Sequence, residues 1–231
     1  MNLYGEIKPI NGHDFIKYTP QEQTAEEMLA NAKAIFELME QRRTVREFSD
    51  KPVAKEVVEN LIKAASTAPS GAHKQPWTFC AVSNAEIKKQ IREAAEKEEY
   101  ESYNGRMTET WLKDLEPLGT DWNKPFLETA PWLIIVFKRI FEFGEDGEKQ
   151  NNYYVSESVG LACGFLLHAI QKAGLMSLTH TPSPMNFLKD VLKRPDNERP
   201  FLLVPIGYPA DEIWVPHIHR KPLEDVAVFY E

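Results

Sequence analysis

Apolar residues recur at helical spacing in four segments of the chain, and this pattern predicts four main helices. The first begins at a capping-box pattern that pairs Thr24 with Glu27. The third begins after Asn84 and the fourth ends before Gly174, residue types that favour a helix start and a helix stop respectively. In chain order the predicted spans are about 24–39, 53–66, 84–95 and 152–173, with a shorter helix near 186–192.

Short continuous apolar runs lie between these helices and predict strands. The run at 132–137, WLIIVF, is typical of a strand that is buried on both faces. Residues 1–20 are predicted to form an extended arm, and residues 143–151 a loop. The other predicted strands are 77–82, 175–180 and 201–206. Helices on both sides of four or five strands leave an α+β and a mixed α/β architecture open at this point, and the length allows one large domain or two small ones.

Two segments follow neither periodicity. Residues 96–125 are charged yet rich in Tyr and Trp, which fits either a surface insertion or a mobile lid, because aromatic side chains are rarely left in a solvated loop. Residues 208–231 contain three prolines and two large apolar clusters. Such a segment is too apolar to remain in solvent, so we expect an arm that wraps a partner subunit.

Composition narrows the classes of function. The chain has 231 residues, of which 42% are hydrophobic, and a formal net charge of −8, which argues against nucleic acid as its main partner. No apolar run approaches the roughly 18 residues that cross a bilayer, and no signal-peptide pattern opens the chain, so we expect a soluble cytoplasmic protein that does not bind a membrane. Cys80 and Cys163 lie in apolar runs and are expected to be buried thiols, and no spacing predicts a metal site.

The strongest local charge lies at residues 42–46, RRTVR, where three arginines fall within five residues. Guanidinium groups bind phosphate in a bidentate manner, and the chain lacks the glycine-rich motifs that otherwise cradle phosphates. Charge alone leaves two interpretations open: a phosphate site, or a solvated basic helix end that complements the helix dipole. Arg220, near the C-terminus, is a candidate fourth cation.

Small residues dominate the loop within residues 67–79, TAPSGAHKQPWTF, and would let its backbone approach a flat or bulky ligand. Ser70 is a candidate nucleophile, but no G-x-S-x-G elbow surrounds it, which argues against a hydrolase. His217 and His219 form a close histidine pair without an evident third ligand, so a metal site there is disfavoured.

Taken together, these motifs resemble the nitroreductase-like flavoprotein superfamily. RRTVREF at 42–48 is similar to its RRSxRxF start, and the 67–79 loop is similar to its APSxxNxQPW loop. The Gly-Ala-His version of that loop looks like the iodotyrosine deiodinase branch. The segments TAPWLIIVFK, YYVSESVGLACGFLLHAIQKAGL, TPS and VPIGYP…RKPL follow the same family in order, so the resemblance covers about residues 20–225.

The resemblance implies an α+β nitroreductase-like fold, with a mixed central sheet flanked by helices, in a single FMN domain over 1–231. It also implies an intertwined homodimer that binds FMN at the subunit interface. The arginines would hold the FMN phosphate and polar groups, and the 69–71 segment would line the flavin ring. Thr181 would lie beside ring N5 and take part in catalysis, and the family often has Thr where this chain has His180. By motif, the implied FMN-binding residues are Arg42, Arg43, Thr44, Arg46, Pro69, Ser70, Gly71, Thr179, His180, Thr181 and Arg220.

The resemblance also gives residues 96–125 a role as an active-site lid that holds a halotyrosine. By position, Glu99 would take the substrate ammonium, Lys124 its carboxylate, and Tyr103 a further hydrogen bond. The Ala72 backbone N–H would donate to the phenolate oxygen. The implied reaction is FMN-dependent reductive dehalogenation of halotyrosines, iodotyrosine to tyrosine plus iodide, through single-electron steps.

Two other functions stay open at the level of sequence. The first is a generic FMN nitroreductase or quinone reductase that uses NAD(P)H, against which Glu99, Tyr103 and Lys124 argue. The second is a non-catalytic protein that binds flavin or halotyrosine. Binding of iodotyrosine separates the halotyrosine proteins from the generic reductase, and turnover separates the enzyme from the binding protein.

Overall fold

A β-hairpin precedes the first helix of the chain. The computed structural model describes residues 5–231, which form two compact units, one ending at Gln41 and the other spanning Arg42–Glu231. In the first unit β1 (Ile7–Ile10) and β2 (His13–Ile16) pair antiparallel across a turn in which Asn11 and Gly12 both have positive φ. The predicted extended arm was therefore wrong for residues 7–16, because the Asn-Gly turn signal was missed. Residues 1–4 lie outside the described residues.

The first helix, α1 (Ala25–Glu40), begins as predicted. The Thr24 hydroxyl accepts a hydrogen bond from the Glu27 backbone N–H at 3.2 Å, and the Glu27 carboxylate accepts one from the Thr24 N–H at 2.8 Å. This reciprocal pair satisfies two backbone donors that a helix start otherwise leaves without partners. The capping-box prediction is therefore confirmed.

The larger unit contains the elements that position the candidate site. Each predicted helix and strand between residues 53 and 207 has an observed counterpart, although several boundaries move. In chain order they are α2 (Lys55–Ser66), β3 (Trp77–Val82), α3 (Ala85–Glu101), α4 (Glu109–Leu115), α5 (Phe126–Thr129), β4 (Trp132–Arg139), β5 (Phe141–Phe143), β6 (Lys149–Asn151), α6 (Val155–Lys172), β7 (Met176–Ser177), α7 (Phe187–Val191) and β8 (Glu198–Gly207).

A four-stranded sheet with the order β3-β4-β8-β7 forms the centre of this unit, and each neighbouring pair of strands is antiparallel. An isolated parallel bridge between Thr44 and Ser177 makes the strand pairing of the sheet mixed. The α+β prediction is confirmed. The predicted strand over 175–180 is shorter than expected, since β7 ends at Ser177 and the chain returns to the sheet through a bridge between His180 and Leu203.

The core lies on both faces of β4. Ile134 and Val136 pack into a cluster with residues of α2 and α6, whereas Leu133, Ile135 and Phe137 pack into a second cluster with residues of α3 and α7. All five side chains are fully buried. Alternation along a strand explains this division, and it confirms the prediction that WLIIVF is covered on both faces.

Replacing Gly207 with Ala is expected to reduce the free energy of unfolding by about 2 kcal/mol. A Cβ atom at Gly207 would lie 2.5 Å from Cδ of Pro131, whose ring cannot rotate away. Urea unfolding measures the effect. Gly105→Ala is the control, because no atom lies within 4 Å of its added Cβ, and an equally small change in both variants would contradict the prediction.

Two further segments differ from the sequence-based expectation. The ends of the 143–151 loop pair as a hairpin, β5 with β6. Residues 96–125 are mostly helical: α3 continues to Glu101, a π-turn covers Ser102–Arg106, and α4 follows. Within residues 5–231 no helix combines the length and the apolar character that crossing a membrane requires.

Candidate functional site

The predicted arginine cluster surrounds a cavity of about 270 Å³. The Arg43 guanidinium donates a hydrogen bond to the Pro216 carbonyl, and Arg220 Nη2 donates to the Arg42 carbonyl at 3.0 Å. These bonds bring the C-terminal segment to the 42–46 segment, as the motif-based prediction requires. The lining residues are Arg42, Arg43, Thr44, Arg46, Leu118, Pro216, Ile218, His219 and Arg220.

The charges around this cavity repel one another. The pKa of Arg42 is lowered first by burial and then by the neighbouring charges of Arg220 and Arg43. Within residues 42–231, no carboxylate forms an ion pair with Arg42, Arg43 or Arg46 at 4 Å or less. A concave group of like charges fits a multivalent anion such as a phosphate, and it favours that interpretation over a solvated helix end.

A second cavity, of about 180 Å³, lies under residues 96–125. We call it the lid cavity. It brings Glu99, Tyr103 and Lys124 together, as predicted, with the 179–181 segment. Arg46 lines both cavities. The lid cavity is lined by Arg46, Glu99, Tyr103, Met107, Trp111, Leu115, Thr120, Lys124, Phe126, Leu178, Thr179, His180 and Thr181.

Local structure explains how the three lid residues meet. Glu99 lies in the last turn of α3, and Tyr103 follows one turn later in the π-turn. Lys124 lies just before α5, and its backbone N–H donates to Glu96 Oε1 of α3 at 2.7 Å. The Tyr103 hydroxyl donates to the Thr120 carbonyl at 3.2 Å. The two ends of the lid are therefore joined by hydrogen bonds.

Glu99 and Lys124 form a buried pair of opposite charges. Lys124 Nζ lies 3.6 Å from Glu99 Oε2, and the two side chains are 4% and 11% exposed. Lys124 Nζ also donates to Thr120 Oγ1 at 3.1 Å and to the Asp121 carbonyl.

Burial opposes both charges of this pair. It raises the pKa of Glu99 against the effect of Lys124, and it lowers the pKa of Lys124 against the effect of Glu99. A cavity that carries two buried side chains of opposite charge matches a zwitterion such as the backbone of a free amino acid.

The small-residue loop holds a strained backbone. Ala72, His73 and Gln75 have φ of 48°, 54° and 47°, a region that residues with a Cβ rarely adopt. The Ser70 hydroxyl accepts a hydrogen bond from the Gln75 N–H at 2.9 Å. The Gly71 N–H donates to Ser158 Oγ at 3.2 Å. These bonds fix the loop in a conformation that its sequence alone did not reveal.

This loop is not brought to either cavity. None of Pro69, Ser70, Gly71 and Ala72 lines them. A Cβ at Gly71 would lie 3.0 Å from the Tyr153 carbonyl oxygen, so Gly71 is required by a close approach within the chain. The Ala72 N–H has no acceptor among residues 5–231 and belongs to an exposed residue. The predicted contacts of this loop with a ligand remain predictions.

The 179–181 segment places its side chains on alternate sides. His180 exchanges two backbone hydrogen bonds with Leu203, at 2.8 and 3.1 Å. Its side chain is buried, whereas Thr179 and Thr181 are exposed. Successive side chains of an extended segment point in opposite directions. The two threonines therefore share a side that His180 does not, a distinction that the motif did not show.

Replacing His180 with Met is expected to flatten the pH dependence of stability between about pH 6.5 and pH 3. Burial, with the charges of Lys124 and Arg46, lowers the pKa of His180 from 6.5 to about 3. Between these values the unfolded chain binds more protons than the folded chain, so stability falls as the pH falls. This term amounts to a few kcal/mol at the acid end, at about 1.4 kcal/mol per pKa unit. Urea unfolding at pH 7 and pH 4 checks it, and equal losses in both proteins would contradict it.

Sequence reasoning missed several residues that line the cavities. Thr120 accepts a hydrogen bond from Tyr103 through its carbonyl and one from Lys124 through its hydroxyl. Trp111 and Phe126 contribute apolar walls to the lid cavity. The Tyr and Trp content of residues 96–125 was the available signal, but it could not say which aromatic residues turn inward.

Comparison with known proteins gives consistent results. The Nitroreductase family model matches residues 39–208. The chain is 60% identical to the iodotyrosine deiodinase of Haliscomenobacter hydrossis over 216 residues, which cover 94% of this chain and 97% of that protein. It is 42% identical to iodotyrosine deiodinase 1 of Homo sapiens over 216 residues, which cover 93% of this chain and 75% of the human protein.

The fold comparison leads to the same group of proteins. A crystal structure of oxidized iodotyrosine deiodinase bound to FMN and 3-iodo-L-tyrosine matches with a TM-score of 0.73 and 31% identity, over 85% of this chain and 98% of that one. A nitroreductase with bound FMN from Bacteroides fragilis matches with a TM-score of 0.62 at 18% identity, over 85% of this chain and 98% of that one, and so shows the shared fold. The chain belongs to the nitroreductase family and, within it, to the iodotyrosine deiodinases.

Proposed function

We propose that this protein is an FMN-dependent oxidoreductase that removes halide from halotyrosines and converts iodotyrosine to tyrosine and iodide. The observation that carries the proposal is the lid cavity. It holds Glu99, Tyr103 and Lys124 together with the 179–181 segment. A generic nitroreductase substrate has no ammonium and carboxylate for such a pair to bind.

The arginine cavity fits the phosphate end of FMN. Arg42, Arg43, Arg46 and Arg220 supply guanidinium donors around one concave space, and Thr44 adds a hydroxyl. The repulsion of Arg42 by Arg220 and Arg43 makes an anionic ligand favourable. Reduced FMN, when bound, supplies the two electrons that, with one proton, replace the carbon–iodine bond by a carbon–hydrogen bond and release iodide.

The lid residues bind and orient the amino-acid end of the substrate. Glu99 accepts hydrogen bonds from the ammonium, Lys124 donates to the carboxylate, and Tyr103 donates a further hydrogen bond. The Glu99–Lys124 pair must open to admit these groups, because each now faces the other at 3.6 Å. When the substrate replaces the contact between Glu99 and Lys124, each buried charge still has a partner of opposite sign. The closed lid excludes water from the part of the cavity that holds the ring.

In this proposal the 69–72 loop contacts the ligands that are bound by a second copy of the chain. Its strained backbone leaves the Ala72 N–H without an acceptor within residues 5–231, and a phenolate oxygen would satisfy that donor. Pro69, Ser70 and Gly71 would lie against the flavin ring. Because none of these residues lines the cavities of its own chain, the loop would complete the partner subunit's site.

A homodimer also accounts for the C-terminal segment. Residues 208–231 carry large apolar side chains that the chain itself leaves exposed, and in the proposed homodimer they form the arm that the partner subunit covers. The exposed fractions are 77% for Trp214, 75% for Val228, 71% for Phe229 and 95% for Tyr230.

The exposed threonines of the 179–181 segment also have a role in the proposal. Thr179 and Thr181 would meet the flavin, with Thr181 beside ring N5 as a catalytic residue.

Ligand binding and a single turnover test the proposal. We expect 3-iodotyrosine to quench the flavin fluorescence of the oxidised protein and to bind at least about tenfold more tightly than 2-iodophenol, which lacks the charged end. Mixing the dithionite-reduced protein with 3-iodotyrosine without oxygen should release tyrosine and iodide and reoxidise the flavin. Equal affinities would indicate a generic reductase. Tight binding with the flavin still reduced and no tyrosine formed would indicate a binding protein.

A further inference from the structure

The imidazole of His180 is buried with an unused hydrogen-bonding atom. The residue is 6% exposed, and its Nε2 has no hydrogen-bond partner within residues 5–231. Two other buried side-chain atoms lack a hydrogen bond among the described residues: Asn152 Oδ1 and Arg139 Nε, of which the second forms an ion pair with Glu142, and neither residue lines the lid cavity. A buried polar atom without a hydrogen-bond partner lowers the stability of the fold. Because His180 lines the lid cavity, a bound ligand could supply the missing partner.

His180 lies among residues of the part of the lid cavity that, in the proposed function, binds the amino-acid end of the substrate. Its ring packs edge to face on Phe126, with centroids 5.6 Å apart. The positive charges of Lys124 and Arg46 add to the effect of burial in lowering the pKa of His180, and Phe126, Lys124 and Arg46 all line the lid cavity with it. The backbone bridge to Leu203 fixes the position of His180. The ammonium of Lys124 does not bond Nε2 of His180; it donates to Thr120 and Asp121 and lies beside Glu99.

The hydrogen-bonding properties of the His180 imidazole favour the carboxylate of the ligand over its ammonium. A neutral imidazole carries one N–H donor and one acceptor, and burial beside two cations keeps the ring neutral. In a cationic corner an N–H donor meets a carboxylate more readily than an ammonium. The carboxylate that Lys124 receives under the proposed function is the anionic group at this end of the substrate.

We propose that His180 is a substrate-binding residue whose Nε2–H donates a hydrogen bond to the carboxylate of the amino-acid ligand, beside Lys124. The inference rests on the proposed function and deepens it. It assigns the buried side chain of His180 to the substrate, whereas the exposed side chains of Thr179 and Thr181 keep their proposed place beside the flavin. The family motif had grouped all three residues as cofactor contacts.

The test compares ligands with and without the carboxylate. With oxidised FMN-loaded protein, flavin fluorescence gives dissociation constants for 3-iodotyrosine and for 3-iodotyramine, which keeps the ring and the ammonium. We expect His180→Met to weaken 3-iodotyrosine binding about tenfold and to leave 3-iodotyramine binding unchanged. His180→Gln, whose amide N–H can reach the same place, should restore most of the affinity. His168→Met, the same change on α6 outside the lid cavity, is the control.

Stability separates this role from a structural one. Removing a buried atom that has no partner should leave the melting temperature of His180→Met at or above that of the wild type. A lower melting temperature with equal losses for both ligands would show a packing role and overturn the inference. Unchanged affinity for 3-iodotyrosine would overturn it too. If the wild type itself failed to bind 3-iodotyrosine more tightly than 2-iodophenol, the proposed function would be the part that fails.

Discussion

Replacing Glu99 with Gln is expected to weaken the binding of 3-iodotyrosine about a hundredfold while FMN stays bound. Truncating the charge of one partner in a buried, hydrogen-bonded pair costs about 2–5 kcal/mol. Glu99 is 9% exposed, so solvent cannot replace the lost charge beside the substrate ammonium. Titration of the oxidised protein with 3-iodotyrosine, followed by flavin fluorescence, measures the loss.

Two controls sharpen this result. Glu93→Gln changes the same charge on α3 at a side chain that is 66% exposed and pairs with Lys89, so it should leave binding unchanged. The affinity for 2-iodophenol should be the same in Glu99→Gln as in the wild type, because this ligand has no ammonium. Loss of FMN from Glu99→Gln would instead show that Glu99 supports the cofactor site, contrary to its position in the lid cavity.

The sequence predicted the parts of the fold that depend on local pattern. The apolar run at 132–137 predicted a doubly covered strand, and the capping box predicted the start of α1 at its observed residue. These signals succeed because burial and capping are imposed by neighbours along the chain. The antiparallel order of the sheet was not predicted, since it depends on contacts between distant residues.

The candidate site was predicted in part for the same reason. The arginine cluster and the trio of Glu99, Tyr103 and Lys124 came from motifs, and the structure groups each set around a cavity. The helical form of the lid was missed because its charged and aromatic residues show weak periodicity. The positive φ at Ala72 and the burial of His180 were missed. Both are set by tertiary contacts, and neither alanine with a positive φ nor buried histidine is the usual state of its residue type.

Arg46 connects the two halves of the site. It lines both cavities, and burial lowers its pKa while Tyr103 and Glu47 oppose that change. Under the proposed function, a cation shared in this way would have the phosphate end of FMN on one side and the amino-acid end of the substrate on the other. In that proposal Arg46 would be a common electrostatic contact of cofactor and substrate.

Replacing Arg42 with Met is expected to weaken FMN binding about a hundredfold without destabilising the protein that lacks FMN. Hydrogen bonds to a charged group contribute about 1.5–3 kcal/mol each, and a guanidinium can make two of them to one phosphate. In the absence of the anion Arg42 is repelled by Arg220 and Arg43. Removing its charge therefore relieves repulsion in the apoprotein, so the two effects have opposite signs.

Reconstitution and melting curves measure these two effects separately. The apoprotein is titrated with FMN, and its melting temperature is recorded without FMN. Arg199→Met is the control, because Arg199 lines neither cavity and donates to the Asp196 and Glu198 carbonyls. Unchanged FMN affinity in Arg42→Met would show that the cluster does not hold the phosphate. A large fall in the melting temperature of the apoprotein would show that Arg42 has a structural role, since relief of repulsion alone cannot lower stability.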